Sequence, residues 1–116
     1  MRVHVLGMNG PFPAAGGACS GYLLESGEDL VQLDLGTGTL AALTALTAPE
    51  ALTALVFSHW HYDHCSDALP LLYRLQGSGS LLRLLGLSDG GVHLAERLLK
   101  RLRPLRQRGK DRLILT

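Results

Sequence analysis

The apolar run Leu55-Val56-Phe57 passes without transition into Ser58-His59-Trp60-His61-Tyr62-Asp63-His64-Cys65-Ser66-Asp67. This junction constrains the fold more than any other stretch. Thr53 to Ser58 is apolar on both alternating sides, which suits an inner strand covered on both faces. The six positions that follow hold three of the five histidines and an aspartate. In an extended segment, side chains two apart point the same way, so His59 and His61 can present imidazoles to one ion. Once the chain turns, Asp63 and His64 can offer an oxygen and a nitrogen to a second, a donor pair that borderline divalent metals accept. The competing reading is a solvated histidine-rich loop. Placement at the end of a buried strand, where α/β folds put their sites, weighs against it.

The pattern His-x-His-x-Asp-His after an apolar strand resembles the metallo-β-lactamase superfamily of metal-dependent hydrolases. Met1-Arg2-Val3-His4-Val5-Leu6-Gly7 is similar to that family's opening strand. Gly10-Pro11-Phe12-Pro13 and Gly16-Gly17-Ala18-Cys19-Ser20-Gly21-Tyr22-Leu23-Leu24-Glu25 resemble the next loop and strand of its ribonuclease Z-like and cyclic-nucleotide-phosphodiesterase-like branch. Asp34-Leu35-Gly36-Thr37-Gly38 is similar to its strand-end Asp-x-Gly. The four motifs occur in the family's order and cover residues 1–76; no match follows Gln76.

The resemblance implies an α/β fold, half of a four-layer αββα sandwich, with a mixed sheet and helices on one face. It implies two divalent ions, zinc first, with manganese and iron able to share such ligands. His59 and His61 would serve one ion, Asp63 and His64 the other. Asp63 would also act catalytically by orienting a water, and Asp34 would hold the histidine loop by hydrogen bonds. A catalytic zinc takes three protein ligands, whereas this motif supplies two to each ion. The family draws the others from its second half, and Asp89 and His93 sit in no family motif and receive no ligand role here.

The rest of the chain reads in the same frame. Residues 2–7 alternate as a strand, with Val3 and Val5 on one side and His4 a hydrogen-bonded strand histidine. Asn9 to Gly17 is a Gly/Pro loop whose glycines let backbone pass close to a neighbour. Tyr22–Glu25 and Leu30–Leu35 form a hairpin, with Val31, Leu33 and Leu35 expected on one face. Thr39 to Thr47 reads as a helix with Thr39 as a candidate N-cap. Asp67 to Gln76 reads as another, with an apolar face of Leu69, Leu72, Tyr73 and Leu75 and Pro70 in its first turn. Trp60 and Tyr62, alternating with the ligands, are expected to point away and pack.

Two domains are expected: 1–76, and a basic tail over 77–116 that begins at Gly77-Ser78-Gly79-Ser80. The first holds two basic against seven acidic residues, the second nine against three. In the tail, Val92, Ala95, Leu98, Leu99, Leu102 and Leu105 form an amphipathic helical stripe, and Arg112 to Thr116 a last short strand. Cys19 and Cys65 read as unpaired thiols. With no secretory pattern and no bilayer-length apolar run, the expectation is a reduced, cytoplasmic protein with no membrane partner. The functional expectation is hydrolysis of a phosphodiester in a small molecule, nucleotide or RNA by a chain that carries part of the site. The alternatives are an enzyme completed in a homodimer, and a non-catalytic metal-binding module.

Overall fold

The computed structural model describes residues 1–78 and 83–86. Among these, five strands form one sheet in the order β1-β2-β3-β4-β5: Arg2–Gly7, Gly21–Ser26, Asp29–Leu35, Ala54–Phe57 and Arg83–Gly86. β1, β2 and β3 pair antiparallel, while β3, β4 and β5 run parallel. The sheet is therefore mixed, and β4 lies inside it with all four residues buried. That is why its sequence is apolar on both alternations.

Helices α1 (Thr39–Leu46) and α3 (Ala68–Ser78) make the β3–β4 and β4–β5 connections. Both cover one sheet face, where Leu43 of α1 and Ala68, Leu71 and Leu75 of α3 join Leu23, Leu35, Leu55 and Phe57 in the main core. The other face carries a smaller apolar cluster of Val31, Ala54 and Val56 with Leu24 and Leu33 against it. This is the α/β architecture expected, a mixed sheet with its helices on one side.

Four details depart from the sequence reading. Leu35 lies with the helix-side core, opposite Val31 and Leu33. The cause is a register shift between β2 and β3 at Asp34, whose φ of 54° is left-handed and breaks the period of two. Thr39 is not an N-cap: Gly38 occupies that position, and the buried Thr39 hydroxyl donates to the Gly36 carbonyl at 2.6 Å. The buried face of α3 is Ala68, Leu71 and Leu75, while Leu69 and Tyr73 are exposed. The sheet also takes β5 from beyond Gln76, within the segment read as a helical tail, and α3 runs through Gly77 and Ser78. The stripe over 92–105 and the strand over 112–116 lie outside the described residues.

Candidate metal centre

The site forms where the parallel strands β3 and β4 end. Asp34, next to last in β3, adopts the left-handed backbone that aspartate tolerates better than most residues. Gln32 Nε2 donates to the Asp34 carbonyl at 2.7 Å. The Asp34 side chain is 4% exposed and meets three polar groups. Ser58 N–H donates to Oδ1 at 2.7 Å, and the Ser58 hydroxyl donates to Oδ2 at 2.7 Å. His64 Nδ1 also lies 2.7 Å from Oδ2. A carboxylate only accepts, so His64 Nδ1 is the donor in this bond. A carboxylate behind an imidazole in this way orients metal-binding histidines.

His64 Nε2 in turn stands 3.6 Å from Asp63 Oδ2. Both residues come from α2 (Tyr62–Cys65), a single helical turn with His61 as N-cap. The turn closes with His64 N–H donating to the His61 carbonyl at 2.9 Å. It brings the His64 ring within 4.0 Å of the His59 ring, centroid to centroid, and His61 stands 4.5 Å from His59. The residues expected to be ligands, His59, His61, Asp63 and His64, are thus gathered in one place, with Asp34 behind them.

The α2 turn and the residues after it are fastened to the β1–β2 loop and to the β3–α1 turn. Ser20 N–H donates to the Asp63 carbonyl at 3.2 Å. Thr37 and Ser66 share a hydroxyl hydrogen bond of 2.7 Å. Asp67 Oδ2 accepts from Gly38 N–H at 3.0 Å and Leu40 N–H at 2.9 Å, capping α1 from a distant part of the chain. Gly10 brings the Gly/Pro loop beside the site, since a Cβ there would stand 2.8 Å from Asp63 Oδ2. What the loop passes closely is therefore the Asp63 carboxylate.

Cys19 and Cys65 are free thiols, as expected, and His4 is hydrogen-bonded to Glu25 at 3.2 Å. Burial, then the nearby carboxylates of Asp34 and Asp63, push the Cys65 thiol up. It stays protonated, and its Sγ–H points to the Trp60 carbonyl at 3.6 Å. Trp60 and Tyr62 do not pack away as expected; they are 60% and 66% exposed. The Trp60 ring lies 4.9 Å from that of Phe57, tilted by 38°. Sequence reasoning gave no role to Ser58, and it quoted Gly36 within the Asp-x-Gly likeness without saying what its lack of a side chain allows.

The donors are imidazole nitrogens and a carboxylate oxygen, and one imidazole already has its outer nitrogen tied, so the set suits a borderline divalent ion. Among the described residues, no three His, Cys, Asp or Glu side chains stand in an arrangement that would hold an ion by themselves. None of the described helices is long and apolar enough to cross a membrane.

Comparison with known proteins agrees with this geometry. The profile of the Metallo-beta-lactamase superfamily matches residues 14–78. "Probable metallo-hydrolase YhfI" of Bacillus subtilis (strain 168) is 43% identical over 76 residues, which are 66% of this chain and 31% of that protein. "Uncharacterized protein Rv1339" of Mycobacterium tuberculosis is 38% identical over 74 residues, 63% of this chain and 26% of that protein. The crystal structure of YhfI, a metallo-beta-lactamase fold protein, superposes with a TM-score of 0.71 at 34% identity, covering 83% of this chain and 41% of that one. Human tRNase Z, short form, superposes at 0.67 with 21% identity, covering 91% and 41%; at that identity the likeness is one of fold. The match spans between about a quarter and a third of the length of these sequence relatives.

Proposed function

The chain belongs to the metallo-beta-lactamase superfamily, and from that premise we propose that it carries one share of the active site of a metal-dependent phosphodiesterase. The substrate class is a cyclic nucleotide, an RNA end or another small phosphodiester. His59 and His61 hold one ion, Asp63 and His64 a second, with zinc first and manganese or iron as alternatives. Bound there, divalent ions supply Lewis acidity, lowering the pKa of water toward about 7 and neutralising charge on a leaving oxygen.

The chain's own groups do the positioning. Asp34 fixes the His64 ring so that Nε2 faces the Asp63 carboxylate, and this one contact carries the reading. Asp63 Oδ2, beside His64 Nε2, is a hydrogen-bond acceptor that would orient a water by its proton. Gly10 keeps the neighbouring loop close without covering that oxygen.

A second reading, in which the ion sites close only with groups from elsewhere, is favoured by the lack of a three-donor arrangement among the described residues. Those groups come from further chain or from a second copy. One experiment separates the possibilities. Metal content per chain is measured alongside turnover of bis(4-nitrophenyl) phosphate, for wild type and His61→Ala. The enzyme reading expects two ions and turnover that falls by about 100-fold or more in the variant, beyond the tenfold to hundredfold typical of losing an outer partner. Turnover rising with the square of protein concentration assigns completion to a dimer. Ions bound with no turnover assign the chain to metal binding alone.

A further inference from the structure

We propose that Ser58 is a positioning residue that fixes the ring orientation and tautomer of His59, so that Asp34 governs two imidazoles of the site, one directly and one through a hydroxyl. The inference follows from counting protons along the hydrogen bonds at the end of β4. Asp34 Oδ2 is approached at 2.7 Å by the Ser58 hydroxyl and at 2.7 Å by His64 Nδ1. Both must bring a proton, because a carboxylate has none to give. A hydroxyl has a single hydrogen, so Ser58 Oγ, having donated to Asp34, can only accept from its other neighbour. That neighbour is His59 Nδ1 at 2.9 Å. His59 Nδ1 therefore carries its proton, and Nε2 is left as the nitrogen with the free lone pair.

The reverse assignment is costly. If Ser58 donated to His59 instead, two bare oxygens would face each other at 2.7 Å in a half-buried site, with no hydrogen between them. The Ser58 backbone reinforces the arrangement, since its N–H donates to Asp34 Oδ1 at 2.7 Å. Serine thus grips both carboxylate oxygens, which fixes its side chain in the orientation that receives the His59 proton. The outcome is a matched pair: His59 and His64, with rings 4.0 Å apart, both present Nε2 as the donor nitrogen. A metal ligand needs that free lone pair, and this part of the inference rests on the metal reading above. The protonation pattern itself does not.

The test is a long-range proton–nitrogen correlation spectrum of the nitrogen-labelled, metal-free chain under mildly alkaline conditions, where each ring's protonated nitrogen is read directly. The expected result is Nδ1–H for both His59 and His64. Ser58→Ala moves His59 toward the Nε2–H form common in free imidazole and leaves His64 unchanged, while Ser58→Thr keeps the wild-type pattern. Nε2–H at His59 in the wild type, or a His59 signal indifferent to Ser58→Ala, overturns the proposal. If Ser58→Ala fails to fold, the wild-type and threonine spectra decide the question alone. Zinc titration followed in the same spectra expects Ser58→Ala to weaken the ion at His59 by about tenfold to a hundredfold, the scale of lost outer partners, with the ion at His64 retained. If zinc moves no ring signal in the wild type, the metal reading fails while the protonation assignment stands on the metal-free spectrum.

Discussion

At Gly36 the β3–α1 turn and the α2 turn come so close that a methyl group would overlap the Asp63 carbonyl oxygen and lie 2.7 Å from Cys19 Cβ. The obstacle is backbone, which cannot swing aside as a side-chain tip can. Gly36→Ala is therefore expected to cost at least the upper end of the about 1–3 kcal/mol typical of overpacking. The loss should show as a lower urea midpoint together with weaker zinc binding, because the carbonyl it displaces belongs to Asp63. Gly77→Ala is the matching control: nothing lies within 4 Å of a Cβ there, and alanine in a helix is favoured by about 0.5–1 kcal/mol. Equal midpoints for the two variants would count against this close approach. Ser58 and Gly36 were illegible from sequence for one reason. Their roles depend on which strand end meets which turn, and neither residue type announces that.

Among the elements, α3 is held to the 3-10 turn at Pro49–Ala51 by a two-pronged ion pair, Arg74 Nε to Glu50 Oε1 at 2.7 Å and Nη2 to Oε2 at 3.1 Å. The Arg74 hydrogen bond holds the Glu50 carboxyl below its ordinary value of 4.5. A lowered carboxyl adds stability above its unfolded value and loses it as pH falls through the folded one. The melting temperature of Arg74→Met is thus expected to sit slightly below wild type near neutrality and to converge with it in acid. Curves that stay parallel down to strongly acidic pH would remove the pair from the stability account. The effect is small because water reaches the pair and salt screens it. The strands and helices themselves were largely legible. β4 announced itself by an unbroken apolar run, and the β2–β3 hairpin by the turn residues Ser26-Gly27-Glu28-Asp29 between two apolar runs. The buried face of α3 did not, since leucines at 69, 71, 72 and 75 fit two neighbouring stripes and only the docking against β4 selects one.

For the molecule as a whole, the histidine cluster and its family likeness were readable because side chains adjacent in sequence need little tertiary help to meet. Further donors for the proposed site were not readable, since no family motif outside the cluster marks them. The face away from the helices has a consequence of its own. Val3 and Val5 are 54% and 57% exposed on edge strand β1, pairing with Leu24 and Tyr22, and an apolar edge of this kind invites association. Concentration-dependent mass by light scattering is the expected outcome. The double substitution Val3→Lys and Val5→Lys should reduce it without changing metal content, and an unchanged mass profile would place the contact elsewhere.

The left-handed step at Asp34 reverses parity. Before it, odd-numbered residues of β3 face away from the helices; after it, Leu35 faces them. Inserting or deleting a single residue between Gln32 and Gly36 would let strict alternation keep the leucine on the helix side, but without the left-handed step. The leucine would hold its slot, but the carboxylate that now reaches Ser58 and His64 from that step would be carried off them. Indels in this short window should be far more damaging than substitutions at the same positions.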